Sequence, residues 1–103
     1  MSVNFAPLSG IDRLVHEPAR FQVLALLYVI ESADFTFIMS QLGLTWGNLS
    51  AHITKLEQGG YVVVEKGFKG KRPQTMLSLT GDGRQAFQAY RETMKQMLDE
   101  IPE

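Results

Sequence analysis

The sequence predicts a mostly α-helical α+β fold, with a core of three helices, a β-hairpin after them and a long last helix. Two observations carry this prediction. Two helical segments are separated by the tight turn LGLT. Two segments rich in β-branched and aromatic residues are separated by the basic turn KGKRP. At 103 residues the chain has the size of one domain, so we expect a single domain over residues 1–103 with an N-terminal arm over residues 1–10.

The first helices are predicted from apolar patterns and breakers. The segment IDRLVHEP predicts a short helix that ends at Pro18, and the same proline suits the first turn of the next helix. From Pro18 to Ser32 the chain is apolar nearly all the way round, which indicates a helix buried on more than one side. FTFIMSQLG predicts another short helix, with Thr36 as N-cap and Gly43 at its end.

The helix that follows has one side of unusually small residues. Thr45 is its expected N-cap, and Gly59 with Gly60 ends it. At about 100° per residue, large apolar residues form one stripe and small or polar ones the opposite side. The stripe contains Trp46, Leu49, Ile53 and Leu56, and the opposite side contains Gly47, Asn48, Ala51, Thr54 and Lys55. A solvated side would carry Glu, Lys and Arg throughout, so the small side indicates that another molecule approaches the helix closely.

The hairpin and the last helix complete the predicted order. YVVVEKGF and QTMLSLT are predicted to be two strands because of their β-branched and aromatic content, and the Gly- and Pro-containing turn joins them. Thr80 then caps a last helix over residues 81–101.

Composition excludes several classes of site. The chain has no cysteine, which removes disulfides, thiolate metal sites and cysteine nucleophiles and fits a cytoplasmic location. The apolar run from Val23 to Ile30 is far shorter than the roughly 20 residues of a membrane-spanning helix. The first ten residues lack the charged and apolar regions of a signal peptide. We therefore expect no membrane association.

The basic residues are clustered although the net charge is only −1. That net charge, taken alone, argues mildly against a nucleic-acid partner. Half of the ten basic residues lie between His52 and Pro73, and they are Lys55, Lys66, Lys69, Lys71 and Arg72. The molecule should therefore have one basic side, although a solvated lysine-rich turn would also explain the cluster.

Two helices joined by a tight turn form a helix-turn-helix, and the hairpin behind them forms a wing. A helix that enters the major groove, about 12 Å wide, must bring its first turns close to the base edges. Gly47 and Ala51 permit that approach, while Asn48, Thr54 and Lys55 supply donors and acceptors. The small side is thus interpreted as a surface shaped for DNA.

With these elements in place, the sequence resembles the winged-helix DNA-binding domain family of small prokaryotic transcriptional regulators, relatives of the MarR and ArsR groups. The resemblance is carried by VHEPARFQVLALL, ADFTFIMSQLGLTWGNLSAHITKLEQGGYVVVEK and GKRPQTMLSLTGDGRQAF. It implies that the segment from Thr45 to Lys55 enters the major groove, with Ser50 among its contacts. It also implies that the wing touches phosphates or the minor groove through Lys69, Lys71 and Arg72. At Ala51, related regulators often carry a longer polar side chain.

The histidines and hydroxyl groups predict no second chemistry. His52 flanks the apolar stripe, so packing or capping is favoured over a phosphate contact, and His16 is favoured as a structural hydrogen-bonding group. Ser50 and His52 do not face each other on a helix and form no proton relay. No combination of acid, base and nucleophile is present, so neither an enzyme nor a metal or other cofactor is predicted.

The last helix carries a second predicted surface. Its large apolar residues recur at spacings of 3, 4, 3 and 4, the rhythm of a helix–helix seam, and they are Phe87, Tyr90, Met94, Met97 and Ile101. Together with Leu24 and Tyr28 of the long first helix, they are predicted to form a homodimer interface. The alternative is that this stripe covers the core of the same chain. Any small-molecule effector would have to lodge at the dimer interface.

These observations predict a regulator that binds specific duplex DNA as a homodimeric repressor. A winged helix used for protein–protein contact is the alternative, favoured by the near-zero net charge and by Ala51.

Overall fold

The computed structural model describes residues 10–103, so the predicted N-terminal arm lies outside the described residues except for Gly10. The order of elements is helix α1, strand β1, helices α2 and α3, strands β2 and β3, and helix α4. Their bounds are α1 Pro18–Ile30, β1 Ser32–Asp34, α2 Phe35–Leu42, α3 Trp46–Gln58, β2 Val62–Lys69, β3 Arg72–Leu79 and α4 Gly81–Asp99. This is the predicted mostly helical α+β arrangement, with one additional short strand and without the short helix predicted before α1.

The segment before α1 forms turns and not the predicted short helix. The Asp12 carboxylate accepts hydrogen bonds from the backbone N–H groups of Leu14 and Val15, which holds a local turn. Glu17 is extended (φ −152°) and its side chain caps α1 by accepting from the N–H groups of Ala19 and Arg20. The prediction of a helix over residues 11–18 is therefore wrong, because two acidic side chains satisfy the backbone locally.

Helices α2 and α3 form the predicted helix-turn-helix. Gly43 ends α2 in the left-handed conformation (φ 66°), which a glycine adopts without steric cost. Thr45 caps α3 by accepting from the N–H of Asn48, as predicted. The predicted cap of α2 is wrong, since Asp34 accepts from the N–H of Phe37 and the hydroxyl of Thr36 donates to the same carboxylate.

The sheet has the order β1-β3-β2, and both pairings are antiparallel. Strand β1 was not predicted, because its three residues carry no alternating pattern and exist as a strand only through pairing with β3. The hairpin is longer than predicted, with a turn of only Gly70 and Lys71. Gly70 has φ 66°, and glycine is preferred at the first position of such two-residue turns.

The core lies where α1, α3, α4 and the base of the hairpin meet. Leu49, Ile53 and Leu56 of α3 are buried in it, as the stripe predicted. The largest fully buried side chains are Val15, Val23, Leu24, Leu27, Ile38, Leu49, Leu56 and Leu77. Within residues 10–103, no helix is long and apolar enough to cross a membrane.

Candidate nucleic-acid interface

The small side of α3 is directed away from the core. Six of the seven predicted contact residues at its start and along this side are exposed, and Ser50 is half-buried. The exposed ones are Thr45, Gly47, Asn48, Ala51, Thr54 and Lys55. A Cβ atom added at Gly47 would meet nothing within 4 Å. Glycine inside a helix costs about 1 kcal/mol relative to alanine. The packing of the described residues does not require a glycine at this position, because the space beside it is open.

Two polar side chains on this helix are already engaged by its backbone. The Thr45 hydroxyl oxygen accepts from the N–H of Asn48 at 3.2 Å. The Thr54 hydroxyl donates to the carbonyl oxygen of Ser50 at 2.9 Å. The side-chain amide of Asn48, in contrast, has no hydrogen-bond partner among residues 10–103. Asn48 and Lys55 therefore offer the freest polar groups on this side of α3.

The wing carries the three predicted cations at its end. Lys69 and Arg72 are opposite each other at the last pair of the hairpin, and Lys71 lies in the turn. All three are exposed. The cationic end of the wing is thus free of the core.

A groove of about 740 Å³ separates α3 from the wing. It brings together Ser50 and Thr54 of α3 with Lys69 and Arg72 of the wing. The other predicted contacts lie outside the groove lining, at the outer side of α3 or in the turn, and they are Thr45, Gly47, Asn48, Ala51, Lys55 and Lys71. The predicted residues therefore form two adjacent surfaces, a groove and the outer side of α3.

The groove also contains charged residues that the motif did not single out. Lys66 adds a third cation beside Lys69 and Arg72, while Asp34 and Glu57 are the two carboxylates of the lining. The Asp34 carboxylate caps α2. The hydrogen bond from the N–H of Phe37, and secondly the one from the hydroxyl of Thr36, hold the pKa of this carboxyl below its usual range. Strand alternation could have indicated Lys66, which lies on the same strand face as Val64.

Trp46 was expected to pack in the core, and this is wrong. Its side chain is 66% exposed and lines the groove. The ring of Phe35 lies against it, with ring centres 5.9 Å apart and an interplanar angle of 51°. Trp46 is the first residue of α3 and sits at the margin of the stripe, where the core beneath the helix has already ended.

His52 joins α3 to the start of α1 instead of facing outward. Its Nδ1 lies 3.2 Å from the Arg20 guanidinium and 3.5 Å from the Glu17 carboxylate. Burial raises the pKa of Glu17, but hydrogen bonds from the N–H groups of Arg20 and Ala19, with the nearby charges, outweigh it and lower the pKa. The favoured interpretation of His52 as a packing or capping residue is confirmed by these contacts.

His16 is likewise a structural hydrogen-bonding group, with its Nδ1 2.8 Å from the Tyr90 hydroxyl. At the base of the hairpin, the Tyr61 hydroxyl donates to Asp12, and this hydrogen bond with burial raises the pKa of Tyr61 to about 12. The carbonyl oxygen of Tyr61 accepts from the N–H of Thr80. These contacts fix the base of the wing against the turn before α1 and the start of α4.

The second predicted surface, between α1 and α4, differs from the expectation. Leu24 is fully buried within the chain (0% exposed), so its assignment to a dimer interface is wrong. Phe87, Tyr90 and Met97 are also buried, and Phe87 and Tyr90 pack on Phe21 of α1 at ring-centre distances of 5.7 and 5.8 Å. The assignment of these residues is corrected too, because most of their surface lies inside the same chain.

Three residues of that prediction keep surface available. Tyr28 is half-buried, accepts a hydrogen bond from Gln88 and lies under the Arg84 guanidinium, while Met94 is also half-buried. Ile101 lies beyond the end of α4 and is exposed. Leu98, which the spacing rule missed, is 59% exposed. A hollow of about 630 Å³ opens here, lined by Phe21, Phe87, Tyr90, Arg91, Met94, Lys95, Leu98 and Asp99.

Comparison with known proteins agrees with this geometry. Residues 19–98 match the model of a family described as winged helix DNA-binding domain. The chain is similar to an uncharacterized protein of Methanocaldococcus jannaschii, 37% identical over 78 residues that cover 76% of this chain and 85% of that protein.

Two solved structures are similar in fold. A transcriptional regulator homologue from Pyrococcus horikoshii is 29% identical with a TM-score of 0.85, and the match covers 90% of this chain and 94% of that one. Reduced AbfR bound to DNA is 23% identical with a TM-score of 0.64, over 81% of this chain and 57% of that one. The latter likeness shows the fold alone.

Proposed function

The chain belongs to the winged helix DNA-binding domain family, and from this premise we propose that it is a transcriptional regulator that binds specific duplex DNA as a homodimeric repressor. One observation carries the proposal. The exposed, small side of α3 lies next to the groove that separates α3 from the cationic end of the wing, so that a single duplex can contact both.

The outer side of α3 supports insertion into the major groove. Because Gly47 has no side chain and Ala51 only a methyl group, a duplex can approach the backbone of α3 closely at its first turns. No described side chain fills the space next to Gly47. Asn48 and Lys55 flank this low surface with exposed polar groups that can read base edges. Insertion of α3 therefore brings two candidate reading groups to the bases.

The wing supports a phosphate contact on the neighbouring backbone. Lys69, Lys71 and Arg72 are exposed and close together in the hairpin, so their field adds locally although the chain's net charge is −1. Phosphate contacts position a protein on DNA and carry little sequence information. We therefore assign recognition of the base sequence to α3 and contact with the phosphate backbone to the wing.

The homodimer is supported by the apolar surface around the hollow. Phe21, Met94, Leu98 and Ile101 present apolar surface that nothing in the described part of the chain covers fully. A two-fold dimer through this surface would present two copies of α3 to half-sites about 34 Å apart. Occupation of such a site blocks other proteins, which supports repression. An effector would bind in the hollow at the same interface.

The proposal is tested by selection of bound sequences from random duplex DNA, followed by a salt titration of the selected site. Trp46 is the only tryptophan in the chain and lines the groove, so its fluorescence reports binding without a label. We expect a selected site with two-fold symmetry and an affinity that falls steeply with salt. Failure to enrich any sequence, with no salt-dependent binding to duplex DNA, would contradict the proposed function.

The wing variant Lys69→Ala, Lys71→Ala, Arg72→Ala makes the test specific. We expect weaker binding to all duplexes by similar factors, and a slope of log affinity against log salt that falls by about 0.9 for each phosphate that the variant no longer neutralises. The matched control Lys69→Arg, Lys71→Arg, Arg72→Lys keeps every charge and should keep the slope. An unchanged slope in the alanine variant would mean that the wing points away from DNA.

A second candidate function is protein–protein contact, favoured by the exposed aromatic side chains of Trp46 and Phe68. It predicts that the selection yields no preferred site and that the cations of the wing do not matter for binding. The same titration therefore separates the two functions.

A further inference from the structure

The end of the wing is apolar as well as basic. Phe68 is 75% exposed, one of the most exposed large apolar side chains of residues 10–103. It pairs directly with Pro73 across the hairpin. Lys69 follows it in β2, Lys71 lies in the turn and Arg72 precedes Pro73. Two apolar side chains and three cations thus lie within residues 68–73, at the tip of a two-stranded projection.

The register fixes the direction in which Phe68 points. Residues that are directly opposite in an antiparallel pair share a face, and the same face recurs every second residue. One face therefore contains the pairs Val64–Leu77, Lys66–Thr75 and Phe68–Pro73. Leu77 is buried in the core, and Lys66 and Pro73, the direct partner of Phe68, line the groove beside α3, while Phe68 itself lies outside the groove lining. Phe68 consequently lies at the outer end of the strand face that is continuous with the core.

The distance along the strand suits the neighbouring groove of a duplex. Phe68 lies four residues beyond Val64, the last residue of β2 that packs against the core, which is roughly 13 Å of extended strand. A minor groove faces the protein about half a helical repeat, roughly 17 Å, from the centre of the major groove. The two lengths are of the same order, so with α3 in the major groove the tip of the wing can approach that minor groove.

We propose that Phe68, supported by Pro73, is a wedge that enters the minor groove beside the major groove held by α3 and partly unstacks one base step. The inference rests on the proposed function and assigns to the wing a share of sequence preference in addition to phosphate contact. The three cations around the tip match the phosphates that border a minor groove, and Phe and Pro are side chains that insert between base steps. An apolar tip on a protein-binding surface would not require three cations next to it.

The wedge has two consequences for the DNA. The duplex bends away from the inserted side chain, toward the major groove. Insertion is also easiest at flexible pyrimidine–purine steps such as TA and CA/TG. The selected site should therefore favour such a step at the position facing the wing, outside the bases that face α3.

The test places the fluorescent base 2-aminopurine at successive positions of the selected site, because its emission rises when a base is unstacked. Wild-type protein should raise the emission at one step facing the wing, and donor and acceptor dyes at the DNA ends should report a bend. Phe68→Ala should abolish both signals and weaken binding by about 10-fold, the worth of one stacking interaction between a side chain and a base. Phe68→Leu should retain part of both signals, since leucine also acts as a wedge.

Controls separate the wedge from general effects. Val63→Ala removes an exposed apolar side chain from the opposite face of the same strand and should leave affinity, emission and bend unchanged. Because Phe68 is outside the core, circular dichroism and thermal melting should show the same fold in Phe68→Ala. The salt slope should stay at the wild-type value, since the cations remain.

The outcomes are distinguishable. If wild-type protein binds the selected site but no base is unstacked, or if Phe68→Ala binds with equal affinity and an equal bend, the wedge is overturned while the proposed function stands. If no duplex binds at all, both fall. A Phe68→Ala variant that no longer binds a partner protein but binds DNA as before would also overturn the wedge and would favour the protein–protein function.

Discussion

Asn48 combines three properties that few residues of α3 share. It lies at the start of the helix, its side chain is exposed, and its neighbour Gly47 leaves the adjacent surface low. Only its backbone N–H is engaged by the Thr45 cap. An amide that can donate and accept at once matches the N6/N7 edge of adenine. These properties make Asn48 the best-placed residue of α3 for reading a base.

We predict that Asn48→Ala costs about 1–3 kcal/mol on the selected site, the usual worth of a bidentate base contact. Binding to scrambled DNA and thermal stability should barely change, because the side chain is outside the core. Titration of Trp46 fluorescence with both duplexes measures the difference. Equal losses on the two duplexes would rule out base reading by Asn48 and would reduce it to a phosphate contact.

Within α3, the burial of a residue could be predicted where it follows from the helical period alone. The apolar stripe through Leu49, Ile53 and Leu56 follows from helical periodicity and is confirmed. Trp46 could not be placed in this way, because its exposure depends on where the core ends beneath the helix. The direction of Phe68 was missed for a similar reason, since the register of the hairpin fixes it and the turn proved shorter than KGKRP suggested.

Each of the four α-helices within residues 10–103 begins at a polar side chain that accepts backbone N–H groups. The caps are Glu17, Asp34, Thr45 and Thr80. The sequence predicted Thr45 and Thr80, each of which directly precedes the helix that it caps. At α2 it named Thr36, whereas Asp34 is the cap. Pairing of β1 with β3 holds Asp34 opposite Met76, so an interaction with a residue far along the chain decides where α2 begins.

The Asp34 cap should make stability depend on pH. Hydrogen bonds from the Phe37 N–H and the Thr36 hydroxyl lower its pKa in the folded state. A lowered folded-state pKa means that the contribution to stability is present above the unfolded value, near 4, and is lost as the pH falls through the folded value. We predict that Asp34→Ala costs about 1 kcal/mol at pH 7 and that the difference from wild type shrinks below pH 4.

Urea unfolding at pH 7 and pH 3 measures this effect. Asp34→Asn is the matched control, because asparagine is also a good cap and keeps an acceptor oxygen without a charge. Its stability should stay close to wild type at pH 7 and should lack the loss on acidification at this position. A difference between wild type and Asp34→Ala that is the same at both pH values would show that the carboxylate charge does not contribute.

For the whole molecule, the sequence could predict the fold but not which apolar residues of α4 pack inside the chain and which stay exposed. The order from α1 through the hairpin to α4 follows from local patterns and is confirmed, whereas the helix predicted before α1 is absent. The apolar spacing of α4 fits both a dimer seam and a cover for the core of the same chain. In the structure Phe87 and Tyr90 cover that core by packing on Phe21, and Leu24 is enclosed beneath. Which apolar residues remain free depends on the crossing of α1 and α4, which periodicity does not determine.

Apolar residues that stay exposed lie near the end of α4, so we expect the dimer contact there. Met97 is buried, so a lysine at that position would test the stability of the chain and not its association. Leu98 is exposed at the edge of the hollow, one turn from Met94. We predict that Leu98→Lys leaves the fold intact and dissociates the dimer, because a charge buried in an apolar interface costs several kcal/mol.

Sedimentation at micromolar concentration measures the oligomeric state, with Val29→Lys as the control that places the same charge at an exposed apolar position at the end of α1. The control should remain dimeric. Monomers of Leu98→Lys should bind an isolated half-site as wild type does but lose most of the affinity for the full two-fold site, because the two copies of α3 are no longer joined. A Leu98→Lys variant that stays dimeric would remove the hollow between α1 and α4 from the interface, and a wild-type monomer that binds one half-site would replace the dimer with single-site recognition.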